Sequence, residues 1–99
     1  MKRFVEVHYR IKDGKRDAFY RALQESGIPA ASRAESGNEK YEYYFNPENE
    51  NELLLLEIWT SPEAVQIHAQ TEHFQKLGKL KEQYVTETVI KRFAFPDTF

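Results

Sequence analysis

The sequence predicts an α+β domain in the order strand, helix, strand, strand, helix, strand, the split βαβ or ferredoxin-like pattern. Three observations carry this. Segments with strand periodicity recur four times along the 99 residues. Two stretches between them place apolar residues at three-and-four spacing. Turn and cap residues fall at the joints. Such a chain makes one domain, 1–99, with two helices on one face of a four-stranded antiparallel sheet.

Phe4 to Ile11 alternates, with Val5, Val7, Tyr9 and Ile11 on one face and Phe4, Glu6, His8 and Arg10 on the other. Asp13-Gly14 ends that strand, and Phe19, Ala22, Leu23 and Ser26 form a helical stripe. Gly27 supplies a stop, with Pro29 two residues on, and Ala30 to Asn38 reads as a connection. Lys40 to Phe45 is the second strand, with Tyr41, Tyr43 and Phe45 on one face. A polar turn, Asn46 to Asn51, leads into Leu53 to Trp59, which is apolar on both faces apart from Glu57. Ser61-Pro62 has the form of an N-cap followed by proline at the first helical position. Ala64, Val65 and His68 share the face of that helix. Thr71 caps a further helical stretch with the stripe Phe74, Leu77, Leu80 and Tyr84. Val85 to Phe95 is the last strand, and Pro96 ends it.

Helices cover only one sheet face in this order. Leu54, Leu56 and Ile58 lie on the other, where a bare apolar surface is unusual for a soluble monomer. The expectation is a closed two-fold homodimer packed sheet to sheet, a dimeric α+β barrel.

Composition excludes several classes. There are 14 basic and 16 acidic side chains and no basic run, which argues against nucleic acid as a partner. Absence of cysteine excludes a disulfide scaffold and Cys-ligated zinc and fits a reducing compartment. The N-terminal MKRFVEVHYR carries charges where a signal peptide is apolar, and Leu53 to Leu56 is too short to span a membrane. The expectation is a cytoplasmic protein without a membrane partner.

The stretch EIWTSPEAVQIHAQTEHF, residues 57–74, holds the only tryptophan and two of three histidines. On one continuous helix, residues five apart sit roughly 140° round from each other, so His68 and His73 do not form the i, i+4 chelating pair unless a break near Thr71 reorients them. Glu57 is the one obvious local third ligand, and no metal is expected. Trp59 and His68 can simply fill core. The functional alternative starts from facing: Glu57 and Trp59 share a strand face, and His68 overlooks it. Val7 and Tyr9 line the neighbouring strand, with Tyr41 and Tyr43 on the next. That makes an aromatic pocket with an imidazole, suited to a small aromatic ligand and to proton transfer near neutral pH.

Glu35-Ser36-Gly37-Asn38 before the aromatic strand, then Glu57-Ile58-Trp59, then His68 through Thr71 to His73-Phe74, resemble the antibiotic biosynthesis monooxygenase family of dimeric α+β barrels. The family pattern runs E-P-G-N, E-x-W, H-x-x-T-x-H-F/M, and Ser36 replaces its usual proline. The resemblance covers nearly the whole chain. It implies a pocket between sheet and helices in each subunit, usually with no metal or flavin. It also implies that Trp59 is the strand tryptophan of oxygenase members and that His68 and His73 are the two histidines of the pocket segment. Haem-degrading members need an asparagine on the first strand, where Val7 stands here.

The resulting expectation is a cofactor-free monooxygenase acting on a small quinol or polyphenol. His68 accepts the phenolic proton and Trp59 orients the ring. Glu57 holds a histidine tautomer or satisfies buried polar groups, and His73 shapes the pocket mouth. The rivals are an isomerase or lyase on a small carbonyl compound, a non-catalytic ligand binder, and an RNA-binding domain, the last lacking the glycine-spaced aromatic pattern on its strand.

Overall fold

The computed structural model describes residues 1–98. Its elements are β1 (Lys2–Ile11), α1 (Arg16–Ser26), α2 (Ile28–Arg33), β2 (Asn38–Phe45), β3 (Glu52–Trp59), α3 (Pro62–Ala69), α4 (Glu72–Tyr84) and β4 (Val85–Phe95). The sheet order is β2-β3-β1-β4, all neighbours antiparallel. This is the expected ferredoxin-like α+β fold.

Each helical half of the fold is two helices rather than one. Gly27 adopts a left-handed φ of 80° and donates its N–H to Gln24 O, ending α1. The same residue starts α2, and Pro29 falls in the first turn of that helix. Proline is tolerated there because the first helical N–H groups have no intrahelical acceptor. The residue read as a stop is therefore part of a start, and the expected connection from Ala30 begins as helix. In the second half, Ser61 Oγ accepts from Ala64 N–H to cap α3, and Thr71 Oγ1 accepts from Phe74 N–H to cap α4, as the sequence implied.

Strand β3 alternates through its whole length: Leu53, Leu55, Glu57 and Trp59 are buried under the helices, while Glu52, Leu54, Leu56 and Ile58 are half-buried on the open face. Phe19, Leu23, Ile28, Tyr41, Leu53, Leu55 and Trp59 form the centre of the core. The open face carries Phe4 opposite both Ile58 and Phe93, with Phe93 half exposed. His8 lies on that face too, with Nε2 2.6 Å from Glu6 Oε2 and Nδ1 2.9 Å from Glu52 Oε1. Among the described residues no helix is long and apolar enough to cross a membrane.

Candidate active site

A cavity of about 160 Å³ opens between the sheet and helices α3 and α4. Val7 and Tyr9 of β1, Tyr41 of β2 and Glu57 of β3 form its floor, and His68 of α3 its roof. Lys81 of α4 and Arg92 of β4 add two cations to its walls. An apolar cavity of comparable volume holds a benzene ring, so the space suits one substituted ring. The sequence reading placed Val7, Tyr9, Tyr41, Glu57 and His68 in such a pocket, and the structure brings these five together.

Three other expected pocket residues stand elsewhere. Trp59 is fully buried and does not line the cavity; its Nε1–H donates to Glu57 Oε1 at 2.8 Å. Its ring lies 4.5 Å from the His68 ring, tilted by 35°, so it backs the imidazole instead of touching a ligand. The reason is position: Trp59 ends β3, beneath α3 and beyond the cavity floor. Tyr43 is likewise outside the lining and packs edge-on against Tyr20 and Tyr41. His73 is outside it because it points to the loop before β2.

That loop supplies the residue that periodicity did not reveal. Glu35 Oε2 lies 2.6 Å from His68 Nδ1 and 2.8 Å from His73 Nε2. An ionised carboxylate only accepts, so both of these ring nitrogens donate to it. Glu57, expected to hold a histidine or to satisfy a buried polar group, accepts from the buried Trp59 Nε1–H. With Nδ1–H committed to Glu35, the acceptor nitrogen of a neutral His68 is Nε2, which has no hydrogen-bond partner among the described residues. Burial pushes the His68 imidazole below its ordinary 6.5, against the opposing pull of the Glu35 hydrogen bond and charge. Burial thereby favours the neutral ring.

Local sequence explains how a residue 33 positions away reaches His68. Glu35 N–H donates to Ser32 O and Asn38 N–H to Glu35 O, folding the segment into tight turns. Gly37 lies so close to α3 that a Cβ there would collide with Ala64 Cβ. Its carbonyl accepts from Thr60 N–H, tying the loop to the end of β3. Asn38 Nδ2 donates to Lys40 O and Ile58 O, which fixes the loop's exit. Opposite, α3 stops at Ala69, and Thr71 donates both its N–H and Oγ1–H to His68 O. That break turns α4 so that His73 comes beside His68, with ring centroids 5.7 Å apart. The helical-wheel argument that kept the histidines apart assumed one unbroken helix.

Glu57 is the second unusual group. Burial raises its carboxyl from 4.5 to about 7, the Trp59 hydrogen bond working against burial, the Glu35 charge adding to the rise and Arg92 reducing it. The Tyr41 phenol is pushed up to about 12, chiefly by burial, and so stays protonated.

The chain is similar to known proteins in sequence and in fold. Residues 3–80 match the model of the antibiotic biosynthesis monooxygenase family. The chain is 32% identical over 71 residues to "Putative monooxygenase YcnE" of Bacillus subtilis, covering 72% of this chain and 73% of that one. Among solved structures, PA3566 from Pseudomonas aeruginosa superposes with a TM-score of 0.85 at 22% identity, covering 96% of this chain and 94% of that one. Rv0793 from Mycobacterium tuberculosis gives 0.84 at 23% identity, covering 98% and 97%. At such identities the two structures speak for the fold alone. The sequence match takes in the Glu35 loop, the E-x-W strand end and both histidines, and through it the chain belongs to the antibiotic biosynthesis monooxygenase family.

Proposed function

We propose that the protein is a cofactor-independent monooxygenase that oxidises a small quinol or polyphenol with dioxygen. The observation that carries this reading is a single one: an imidazole whose Nδ1 lies 2.6 Å from a half-buried carboxylate, at the roof of a cavity sized for one aromatic ring. The family and the name of its relative support a monooxygenase-like role.

In this reading His68 Nε2 takes a phenolic proton, and Glu35 stabilises the imidazolium that results. The phenolate is electron-rich at the ring carbon beside its oxygen. That carbon bonds to dioxygen, the His68 proton returns to the resulting peroxide, and the carbon's ring hydrogen and the peroxide's outer OH leave together as one water, so that a carbonyl remains. One quinol and one dioxygen give one hydroxyquinone and one water, with the four electrons supplied by the substrate. Tyr9, Val7 and Tyr41 surround the ring and limit access of bulk water. Trp59 is a positioning residue that supports the face of His68.

A second reading keeps the same pocket for isomerisation of a small carbonyl compound. It gains from Lys81 and Arg92 in the cavity wall, which suit an anionic substrate. Oxygen separates the two. Metal-stripped protein offered a panel of quinols should consume oxygen above autoxidation, at one molecule per hydroxyquinone formed, and His68→Ala should lower the rate by 100-fold or more, in line with loss of a general base. No consumption across the panel would reject the monooxygenase reading.

We also infer that the open sheet face pairs with a second copy of the chain. The apolar set Phe4, Ile58, Phe93 and Phe95 on that face supports this.

A further inference from the structure

Glu35, His68 and His73 offer a metal ion three donor atoms in one place. Glu35 Oε2, His68 Nδ1 and His73 Nε2 all lie within 4.8 Å of one another. Two imidazole nitrogens and one carboxylate suit zinc and the neighbouring transition ions, whereas calcium and magnesium prefer oxygen throughout. In a tetrahedral site, bonds of about 2.0–2.2 Å place donor atoms roughly 3.3–3.6 Å apart around a shared ion. The Glu35 contacts of 2.6 and 2.8 Å would open by under about 1 Å to admit an ion of that geometry.

A second observation comes from the other oxygen of the same carboxylate. Glu35 Oε1 is buried and has no hydrogen-bond partner among the described residues. The only ion-pair contacts of Glu35 among those residues are with the two histidines; no lysine or arginine reaches it. A half-buried carboxylate whose buried oxygen is unpaired, with no lysine or arginine beside it, is suited to hold a cation, with Oε1 available for bidentate coordination.

We propose that Glu35, His68 and His73 form a binding site for one divalent transition ion of the zinc type. The site has a consequence for the cavity. His68 Nδ1 holds either a proton or the ion. When the ion takes Nδ1, the proton of the neutral ring resides on Nε2, and the group facing the cavity changes from acceptor to donor. The ion therefore switches off the proton-accepting role of His68. That last step rests on the oxygenase reading; the binding itself does not.

Cobalt(II) is the direct probe, because a bound ion of low coordination number absorbs visibly. Chelator-treated full-length protein titrated with cobalt(II) alone should saturate at one ion per chain, and zinc(II) should displace it. Glu35→Gln and His73→Ala should each weaken binding at least tenfold, whereas His8→Ala, which alters the separate cluster on the open sheet face, should bind like wild type. Metal-free melting curves identify any variant that fails to fold. In wild type, nitrogen-15 spectra should show the proton of His68 moving to Nε2 when zinc(II) is added. Absence of cobalt bands in wild type, or equal binding by wild type and His73→Ala, would show a hydrogen-bonded cluster only and overturn the proposal. No substrate is present in these measurements, so their failure leaves the oxygenase reading intact, and failed oxygen uptake leaves the metal site intact.

Discussion

At Glu57 two forces oppose each other. The indole N–H stabilises its carboxylate, and burial destabilises it more, so the group ionises near 7 instead of 4.5. Between those values the folded protein holds a proton that the unfolded chain has lost. The contribution of Glu57 to stability is therefore fully present below about pH 4.5 and is lost as pH rises through about 7. Glu57→Gln keeps an acceptor for Trp59 and removes the titration. Urea unfolding should show the variant gaining roughly 2–3 kcal/mol on wild type between pH 5 and pH 8, at about 1.4 kcal/mol per unit of pKa shift. An equal difference at both pH values would contradict the assignment. Residues on regular elements were legible at this scale, because period two put Val7, Tyr9, Tyr41 and Glu57 on one face and helix spacing put His68 above them. Glu35 was not legible by that means. It sits in a loop, where no period links a residue to its spatial partner, and only its place in the E-S-G-N motif marked it.

The elements meet most tightly where that loop touches α3. Gly37 permits an approach that a methyl group would block at Ala64. Gly37→Ala should lower stability by about 1–3 kcal/mol, the usual range for overpacking a close contact. It should also push the Glu35 loop away from α3, so the Nδ1 proton resonance of His68 should lose its hydrogen-bonded shift. A variant with unchanged stability and unchanged resonance would remove the close-packing explanation of this glycine. The four strands and the caps at Ser61 and Thr71 followed from sequence because each has a local signature. Division of the first helical segment did not, because Gly27 both ends α1 and begins α2, and a glycine followed by proline gives the same signal for an end as for a restart.

For the whole molecule, the sheet separates a cavity from an apolar face. Its helix side holds the cavity, and its open side holds Phe4, Ile58 and Phe93 around an apolar depression. Phe93→Glu places a charge in that surface without entering the cavity. Light scattering should find wild type as a dimer and the variant as a monomer at micromolar concentration; a monomeric wild type would contradict the pairing. The family match ends at residue 80, before β4. Thr88, Ile90 and Arg92 of β4 nevertheless form one cavity wall. Fold and family were thus readable from the matched motifs, while the wall that would tune substrate choice lies outside them.

The central claim is that a Glu35-held His68 accepts the substrate proton without help from a metal. Oxygen consumption with one active quinol, by metal-stripped wild type, Glu35→Gln and His68→Ala side by side, tests it most directly. The account predicts turnover by wild type, a loss of roughly 10- to 100-fold in Glu35→Gln as expected for a disrupted supporting hydrogen bond, and a larger loss in His68→Ala. Equal rates in all three, or activity that returns only with added metal, would contradict it.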